Sequence, residues 1–217
     1  MKYEYLITKN PKLFTNDNAL IKIITDSGEI HEWEVNNFPH KINKIGVVYE
    51  DPYIMVLRDL VSFPDGRKGT YHRVINRADL SGGKSVVILP VFKQKIVLIN
   101  HYRHATRQWH LEAPRGYGEP HISSEENALK ELKEEINGEI EDITSLGSFH
   151  NNTGLEGVCS ELFLAHLVSI GQPNTQEGIL ENRFFTVTQI EKMILESEIT
   201  DGFTIAAFTK AKLRRII

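Results

Sequence analysis

A helix whose two ends are both marked, between positions 123 and 137, is the feature that most restricts how this chain can fold. Ser123 followed by Glu126 forms a capping box, in which each side chain accepts a backbone N–H at the start of a helix. Asn137 and Gly138 mark its end, because both residues tolerate the left-handed conformation that stops a helix. The sequence therefore predicts a helix from Ser123 to about Ile136.

An apolar stripe on this helix requires a sheet to pack against. Leu129, Leu132 and Ile136 recur at the spacing of one helix face. Apolar runs that predict strands lie on both sides of the helix: SVVILPV and KIVLINHYR joined by FKQ, then DITSLGSF, ELFLAHLV and ENRFFTV. Thr188 with Glu191 predicts a cap for a short helix, and Asp201 predicts a cap for a last one. The predicted class is α+β.

The first third of the chain has strand patterns separated by turn residues. Residues 19–25 and 30–35 flank the turn signal DSGE and predict a hairpin. Residues 54–63 and 70–77 flank PDGRKG and predict a second one. The segment ADLSGG, residues 78–83, is the best candidate boundary. We therefore expect an N-terminal β region over residues 1–80 and a second domain over residues 81–217.

Composition excludes several classes of protein. The net charge is -4, whereas a protein that neutralises nucleic-acid phosphates needs a basic surface. The single cysteine, Cys159, excludes an intrachain disulfide and a cysteine-based zinc site, and its setting predicts a buried structural thiol. No segment approaches the ~20 apolar residues of a membrane span. We expect a cytoplasmic protein that binds neither nucleic acid nor membrane.

Three glutamates are predicted to share one patch of the marked helix. Glu131, Glu134 and Glu135 have the spacing of neighbours on a helix surface, and Lys130 and Lys133 are expected to point away from them. One interpretation is a solvated acidic face. The other is a cation site, because hard ions such as magnesium bind carboxylate oxygens and keep several waters. Taken alone, the spacing leaves both interpretations open.

The surrounding sequence, LEAPRGYGEPHISSEENALKELKEEING, resembles the Nudix box. That box reads Gly, five residues, Glu, seven residues, then Arg-Glu-hydrophobic-x-Glu-Glu-x-Gly-hydrophobic. On this pattern Gly116 is the opening glycine and residues 130–135 form the core. Ile122 replaces the first Glu of the box, and Glu119, Glu125 or Glu126 could compensate for it. The other departures are Lys130 for Arg, Asn137 for Gly, and Gly138 at the last hydrophobic position.

The resemblance extends to the ADP-ribose pyrophosphatase subgroup of that family. His-Tyr-Arg at 101–103 and Glu-Ala-Pro-Arg-Gly at 112–116 are similar to its Gln-Tyr-Arg and Glu-x-Pro-x-Gly elements. The resemblance implies a Nudix-type mixed β-sheet sandwiched by helices, preceded by an N-terminal antiparallel β region that helps to form a homodimer. It implies hydrolysis of a nucleoside diphosphate linked to another group, with ADP-ribose giving AMP and ribose 5-phosphate as the leading case.

The resemblance also implies a set of metal ligands. Glu131 and Glu135 are expected to be the principal ligands of Mg²⁺, or of Mn²⁺. Glu134 is expected to be a further ligand or the partner of a metal-bound water, and the backbone carbonyl of Arg115 to join them. The catalytic base is expected in the loop GQPNTQEGILEN, where Glu177 is the first candidate and Glu181 the second.

Candidate substrate contacts are Arg103, Arg107 and Glu112. Arg103 follows an apolar strand, where it could meet a diphosphate or form a surface salt bridge. Glu112 could accept hydrogen bonds from a ribose or an adenine amine, or be a partly buried structural acid. Trp109 could stack on adenine or belong to the core. Two other functions stay open: a Nudix-fold ligand sensor that has lost catalysis, and a hydrolase of a nucleotide sugar, a dinucleotide or a triphosphate.

Overall fold

The computed structural model describes residues 2–37, 44–157 and 159–217. These residues form two compact units. The N-terminal unit consists of the described residues up to Ser81 together with a later segment that starts at Asn152. The C-terminal unit consists of Gly82–Asn151 and Cys159–Ile217. The part of the predicted β region that spans residues 38–43 lies outside the described residues.

The N-terminal unit is built on a four-stranded antiparallel sheet. The long strand β3 pairs with each of the other three strands, in the order β1-β3-β2 with β4 also on β3. The carboxylate of Asp59 is buried in this unit and accepts hydrogen bonds from Tyr3 Oη and Arg73 Nε, each at 2.5 Å. The elements are α1 (Tyr3–Lys9), β1 (Lys22–Ile24), α2 (Ser27–Asn37), β2 (Gly46–Glu50), β3 (Ile54–Ser62), β4 (Lys68–Asn76) and α3 (Arg77–Leu80), with a 3-10 turn at Pro11–Phe14.

The first predicted hairpin is wrong. Only Lys22–Ile24 forms a strand, and residues 30–35 lie in helix α2. The DSGE segment begins that helix instead of turning a hairpin, because Asp26 Oδ1 accepts the backbone N–H of Glu29 at 2.8 Å. This is the side-chain contact of an N-terminal helix cap. The second predicted hairpin is confirmed by the pairing of β3 with β4.

The C-terminal unit contains a seven-stranded mixed sheet. Its order is β11-β6-β5-β10-β9, with β7 paired to β6 and β8 paired to β5. The β5–β10 pair is parallel and the other pairs are antiparallel. The strands are β5 (Val86–Phe92), β6 (Lys95–Arg103), β7 (Gln108–Glu112), β8 (Arg115–Gly116), β9 (Glu139–Phe149), β10 (Ser160–Ser169) and β11 (Ile179–Phe185).

Helices cover both faces of this sheet, as predicted. Alternate residues of β5 point to opposite faces, so that Val86 and Ile88 pack with α4 while Val87 and Leu89 pack with α5 and α6. This is why the strand reads as a continuous apolar run. The helices are α4 (Ser124–Ile136), α5 (Val187–Leu195) and α6 (Gly202–Leu213). The predicted α+β class, with a mixed sheet sandwiched by helices, is confirmed.

Helix α4 has the predicted ends but a different buried face. Ser123 and Glu126 form the capping box, and Asn137 ends the helix in the left-handed conformation with φ of 48°. Leu132 and Ile136 are fully buried as predicted. Leu129 is 38% exposed, however, and the buried position is Ala128.

Two further sequence predictions need correction. The capping box of α5 is formed by Thr186 and Gln189, two residues earlier than predicted from Thr188 and Glu191. Cys159, predicted to be buried, is a free thiol of intermediate exposure. Asp201 caps α6 as predicted. Within the part of the chain that the structure describes, none of the helices is long and apolar enough to span a bilayer.

Candidate functional site

Helix α4 presents two carboxylates toward strand β8. Glu135 is almost fully buried, with 3% of its surface exposed, and Glu131 lies one turn earlier on the same face. Burial raises the pKa of Glu135 to about 8, and the neighbouring Glu131 charge adds to the increase. Burial, together with the charges of Glu134 and Glu177, raises the pKa of Glu131 to about 7. Burial is the largest cause of both increases, because it disfavours the charged form of a carboxyl group.

Gly116 leaves the space that the Glu131 carboxylate occupies. A Cβ atom at Gly116 would lie 2.0 Å from Glu131 Oε1 and 2.1 Å from its carboxyl carbon. Real side-chain atoms do not approach so closely, so any other residue at position 116 would displace the carboxylate. The position of the Glu131 side chain therefore requires a glycine at position 116, which is 15 positions earlier in the sequence.

Arg115 orients the other carboxylate through its backbone. Its N–H donates to Glu135 Oε2 at 3.1 Å. Strand β8 is short, and its pairing with β5 holds Arg115 opposite Val87. The backbone of the Glu112–Gly116 turn thus reaches helix α4 at both glutamates, by a hydrogen bond at Glu135 and by close approach at Glu131.

Glu134 and Lys130 lie at the exposed edge of the patch. The Glu134 side chain is 46% exposed, and Lys130 Nζ lies 3.6 Å from Glu134 Oε1. Lys130 also forms an ion pair with Glu119, so the expectation that it points away from the carboxylates is wrong. Of the three acids that could compensate for Ile122, Glu126 is held by the capping box and Glu125 is exposed. Glu119, in contrast, adds to the negative charge felt by Glu131.

Glu112 is the centre of a buried charged network. It is 1% exposed, and Arg103 Nη2 contacts its Oε1. His101 Nδ1 lies 3.2 Å from the same oxygen, and Arg115 Nη2 lies 3.4 Å from Oε2. Burial alone would raise the pKa of Glu112, but its contacts with His101 and Arg103 and the charge of Arg115 outweigh burial and hold the pKa below its ordinary value. Glu112 is therefore an ionised carboxylate that fixes Arg103.

The first turn of α6 grips the same segment. Asp201 Oδ1 lies 3.4 Å from Arg115 Nη2, and the Arg115 guanidinium lies 4.5 Å from the centre of the Phe203 ring. The fully buried Thr204 accepts a hydrogen bond from the backbone N–H of Ala113 at 2.8 Å through its hydroxyl oxygen. The N-terminus of α6 therefore contacts two parts of the Glu112–Gly116 turn: the backbone at Ala113 and the side chain of Arg115.

Arg107 and Trp109 lie at the tip of the β6–β7 hairpin. Arg107 has a left-handed conformation, and its Nη1 lies 2.8 Å from His104 Nδ1. Trp109 is 51% exposed and pairs with Tyr102, on the opposite face of the hairpin from Arg103. Trp109 is thus neither a core residue nor a neighbour of the Glu112 network.

The loop before β11 brings one of the two candidate bases toward α4. Glu177 ends a short 3-10 turn, where Asn174 Nδ2 donates to Glu177 Oε1 at 3.0 Å. The backbone N–H of Asn174 donates to the carbonyl of Glu135 at 2.9 Å, which ties the loop to the end of α4. Glu181 lies instead on strand β11, where its Oε1 is 3.8 Å from Arg183 Nε.

The arrangement fits a cation that keeps part of its water shell. Among residues 2–37, 44–157 and 159–217, no three His, Cys, Asp or Glu side chains converge as a complete metal cage. The site has two neighbouring carboxylates, at Glu131 and Glu135, and a bound cation would stabilise their ionised forms, which burial disfavours. Magnesium commonly binds through one or two carboxylates and retains several waters.

Several residues of this region were not identified from the sequence. No local pattern connects His101, Thr204 or Asn174 with this site, and the sequence pattern around Asp201 indicates only a helix cap. Their signal is long-range: Thr204 and Ala113 are 91 positions apart. A local pattern could indicate that Asp201 caps a helix, but not which turn that helix end contacts.

Comparison with known proteins identifies a family that the chain matches. The NUDIX domain model matches residues 83–203, which is more than half of the 217 residues. The chain is 26% identical over 185 residues to a methanol dehydrogenase activator from Bacillus methanolicus, covering 83% of this chain and 96% of that protein.

A solved structure shows the same fold. It is described as a crystal structure of ADP compounds hydrolase, and it matches with a TM-score of 0.68 at 19% identity. The match covers 78% of this chain and 90% of that one. The likeness is one of fold.

Proposed function

We propose that this chain, which belongs to the Nudix family, hydrolyses the diphosphate of a nucleoside diphosphate linked to another group. ADP-ribose is the first candidate substrate, with AMP and ribose 5-phosphate as products. The observation that carries the proposal is the pair Glu131 and Glu135, two neighbouring carboxylates with raised pKa values beside Gly116. They fit a divalent cation, Mg²⁺ or Mn²⁺, which when bound would neutralise diphosphate charge and polarise the reacting phosphorus.

The residues of the chain would then share the remaining tasks. Glu131 and Glu135 hold the cation, with Glu134 at the exposed edge and the Arg115 carbonyl as a further candidate ligand. The guanidinium groups of Arg103 and Arg115 supply positive charge for the diphosphate, a role supported by their side-chain exposures of 28% and 24%.

Glu177 is the proposed base. A water oxygen forms a bond to phosphorus, the bridging P–O bond breaks, and the water proton passes to the Glu177 carboxylate. Support comes from the charge of Glu177 at Glu131 and from Asn174, which holds the Glu177 side chain. Arg107 stays a proposed substrate contact from the tip of its hairpin, and Glu112 acts by holding Arg103 rather than by meeting the sugar or the base.

The test is phosphate release from a panel of ADP-ribose, nucleotide sugars, dinucleotides and triphosphates, with and without Mg²⁺. For ADP-ribose, phosphate should appear only when both Mg²⁺ and alkaline phosphatase are added, because the expected products are phosphate monoesters. Turnover should fall by at least about a hundredfold in Glu135→Gln and stay unchanged in Glu141→Gln, an exposed glutamate of β9. Equal turnover without metal would contradict the proposal.

A second candidate function is activation of a partner enzyme. The relative from Bacillus methanolicus is described as a methanol dehydrogenase activator, and the match covers most of both chains. Ile122 in place of the first box glutamate also favours a protein whose catalysis is weakened. Adding this chain to a methanol dehydrogenase from that organism and measuring alcohol oxidation tests the idea. Activation that persists in Glu135→Gln would favour a ligand-sensing or interaction role over hydrolysis.

The proposal extends to assembly and compartment. We expect a homodimer formed through the N-terminal unit, by the resemblance described above. A reducing compartment such as the cytoplasm fits a chain with one cysteine, whose thiol is free and partly exposed.

A further inference from the structure

We infer that Thr204, held by Asp201, is a positioning residue for the Glu131–Glu135 pair, acting through the Glu112–Gly116 turn. The inference rests on the proposed function, since it assigns Thr204 a task in the proposed metal site. Thr204 touches neither carboxylate. Its effect is transmitted along the backbone from Ala113 to Arg115.

The first step is a pair of hydrogen bonds at one hydroxyl group. Thr204 Oγ1 donates to Asp201 Oδ2 at 2.7 Å and accepts from the backbone N–H of Ala113 at 2.8 Å. The hydroxyl proton is thus engaged by Asp201, which leaves an oxygen lone pair for the amide. Both Thr204 and Ala113 are 0% exposed, so no water can take over this bond.

The second step leads from that amide to the carboxylates. Ala113 is two residues before Arg115, whose N–H donates to Glu135 Oε2 at 3.1 Å, and three before Gly116, which makes room for Glu131. A shift of the Ala113 peptide would therefore move both the donor to Glu135 and the space for Glu131.

The third step is the charge of Asp201. Its Oδ2 caps α6 by accepting the backbone N–H of Thr204 at 2.8 Å, while its Oδ1 lies 3.4 Å from Arg115 Nη2. One side chain therefore fixes the Thr204 hydroxyl and the arginine of the same turn. Neither contact is needed to begin a helix, because a cap requires only the bond to the backbone N–H.

The experiment compares three substitutions of matched chemistry. Thr204→Val removes the hydroxyl and keeps the side-chain volume, whereas Thr204→Ser keeps the hydroxyl. Thr209→Val makes the same change at an exposed position of α6 and serves as control. Each full-length protein is examined for Mn²⁺ binding by calorimetry, for the thermal midpoint, and for kcat and KM with ADP-ribose.

We expect Thr204→Val to weaken Mn²⁺ binding and to lower kcat by about ten- to hundredfold, with KM for ADP-ribose within about twofold. Thr204→Ser and Thr209→Val should match the natural protein in Mn²⁺ binding and in kcat. If Thr204→Val does not fold, Asp201→Asn replaces it, because asparagine caps a helix as well as aspartate does. That variant should still weaken Mn²⁺ binding, through the lost charge beside Arg115.

The outcomes separate the inference from the function. A lower thermal midpoint in Thr204→Val with unchanged Mn²⁺ binding and unchanged kcat would overturn the inference and leave a structural role. Equal losses in Thr204→Ser would overturn it too, since packing rather than the hydroxyl would be responsible. If the natural protein binds Mn²⁺ but hydrolyses nothing, and Thr204→Val weakens that binding, the positioning role stands and the proposed hydrolysis fails. Absence of Mn²⁺ binding in the natural protein would overturn the inference.

Discussion

At the scale of single residues, the space beside Gly116 decides where Glu131 can lie. The atoms that a new Cβ would meet belong to the end of a flexible side chain, which can move away. We therefore expect Gly116→Ala to remain folded, with an unchanged thermal midpoint, and to lose at least about a hundredfold in turnover because the carboxylate of Glu131, a proposed metal ligand, is displaced.

Gly118 provides the contrast. A Cβ there would lie 2.0 Å from the backbone nitrogen of Lys84 and 2.3 Å from its carbonyl oxygen, and backbone cannot move aside as a side chain can. Gly118→Ala should therefore lower the thermal midpoint or prevent folding. If Gly116→Ala and Gly118→Ala behave alike in thermal unfolding, the explanation of the two glycines is wrong.

Glu135 carries the clearest single-residue prediction for metal binding. It is the most buried of the three patch glutamates, and burial raises its pKa to about 8. Mg²⁺ should raise the thermal midpoint of the natural protein, because a ligand that binds only the folded state stabilises it. This increase should be lost in Glu135→Gln and kept in Glu141→Gln. A Mg²⁺-dependent increase of equal size in Glu135→Gln would argue against Glu135 as a ligand.

At the scale of elements, the buried face of α4 sets its contribution to stability. Leu132 is fully buried against the sheet, whereas Leu129, in the same helix, is 38% exposed. Leu132→Ala should lower the free energy of unfolding by about 2–5 kcal/mol, through lost burial and a cavity. Leu129→Ala should change it by less than about 1 kcal/mol. Urea unfolding measures the free energy of unfolding of both variants. Equal losses would contradict the observation that α4 buries Leu132 and exposes Leu129.

Helix α3 contains an aspartate, Asp79, whose ionisation destabilises the folded protein. Burial raises the pKa of Asp79 from its ordinary 3.8 to about 6, and the nearby Glu156 charge adds to this. Between these two pH values the folded chain holds a proton that the unfolded chain has lost, so stability falls as pH rises through that window. Above it, the full cost of an ionised Asp79 is present.

Asp79→Asn should therefore raise the thermal midpoint relative to the natural protein at about pH 7.5, and the difference should close at about pH 3, where Asp79 is mostly protonated in both the folded and the unfolded state. Thermal unfolding at the two pH values is the measurement. A difference that is independent of pH would show that ionisation of Asp79 is not its source.

At the scale of the whole molecule, the proposed dimer makes a separate prediction. The N-terminal unit exposes several large apolar side chains, among them Leu20 at 79%, Val35 at 59% and Tyr53 at 77%. Light scattering should give twice the mass of one chain. Tyr53→Asp should shift the population toward monomer, because a charge cannot be buried unpaired in an interface. Leu195→Asp, at an 84% exposed position of the C-terminal unit, should not. A natural protein that runs as a monomer contradicts the proposal.

The sequence by itself determined the features that depend on residues a few positions apart. The capping box of Ser123 with Glu126 and the left-handed stop at Asn137 are both formed as predicted, since each depends on hydrogen bonds within about one turn. The shared face of Glu131 and Glu135 follows from helix periodicity alone. The resemblance then indicated the family and the sheet between helices.

Only the tertiary structure decided the features that depend on contacts between distant segments. Arg103 is fixed by Glu112, and Ala113 is held by Thr204, 91 positions away. Such pairs leave no local pattern, because distant residues meet only after the strands and helices have packed. The sequence therefore indicated which carboxylates could bind a metal, and the folded chain determined how they are held.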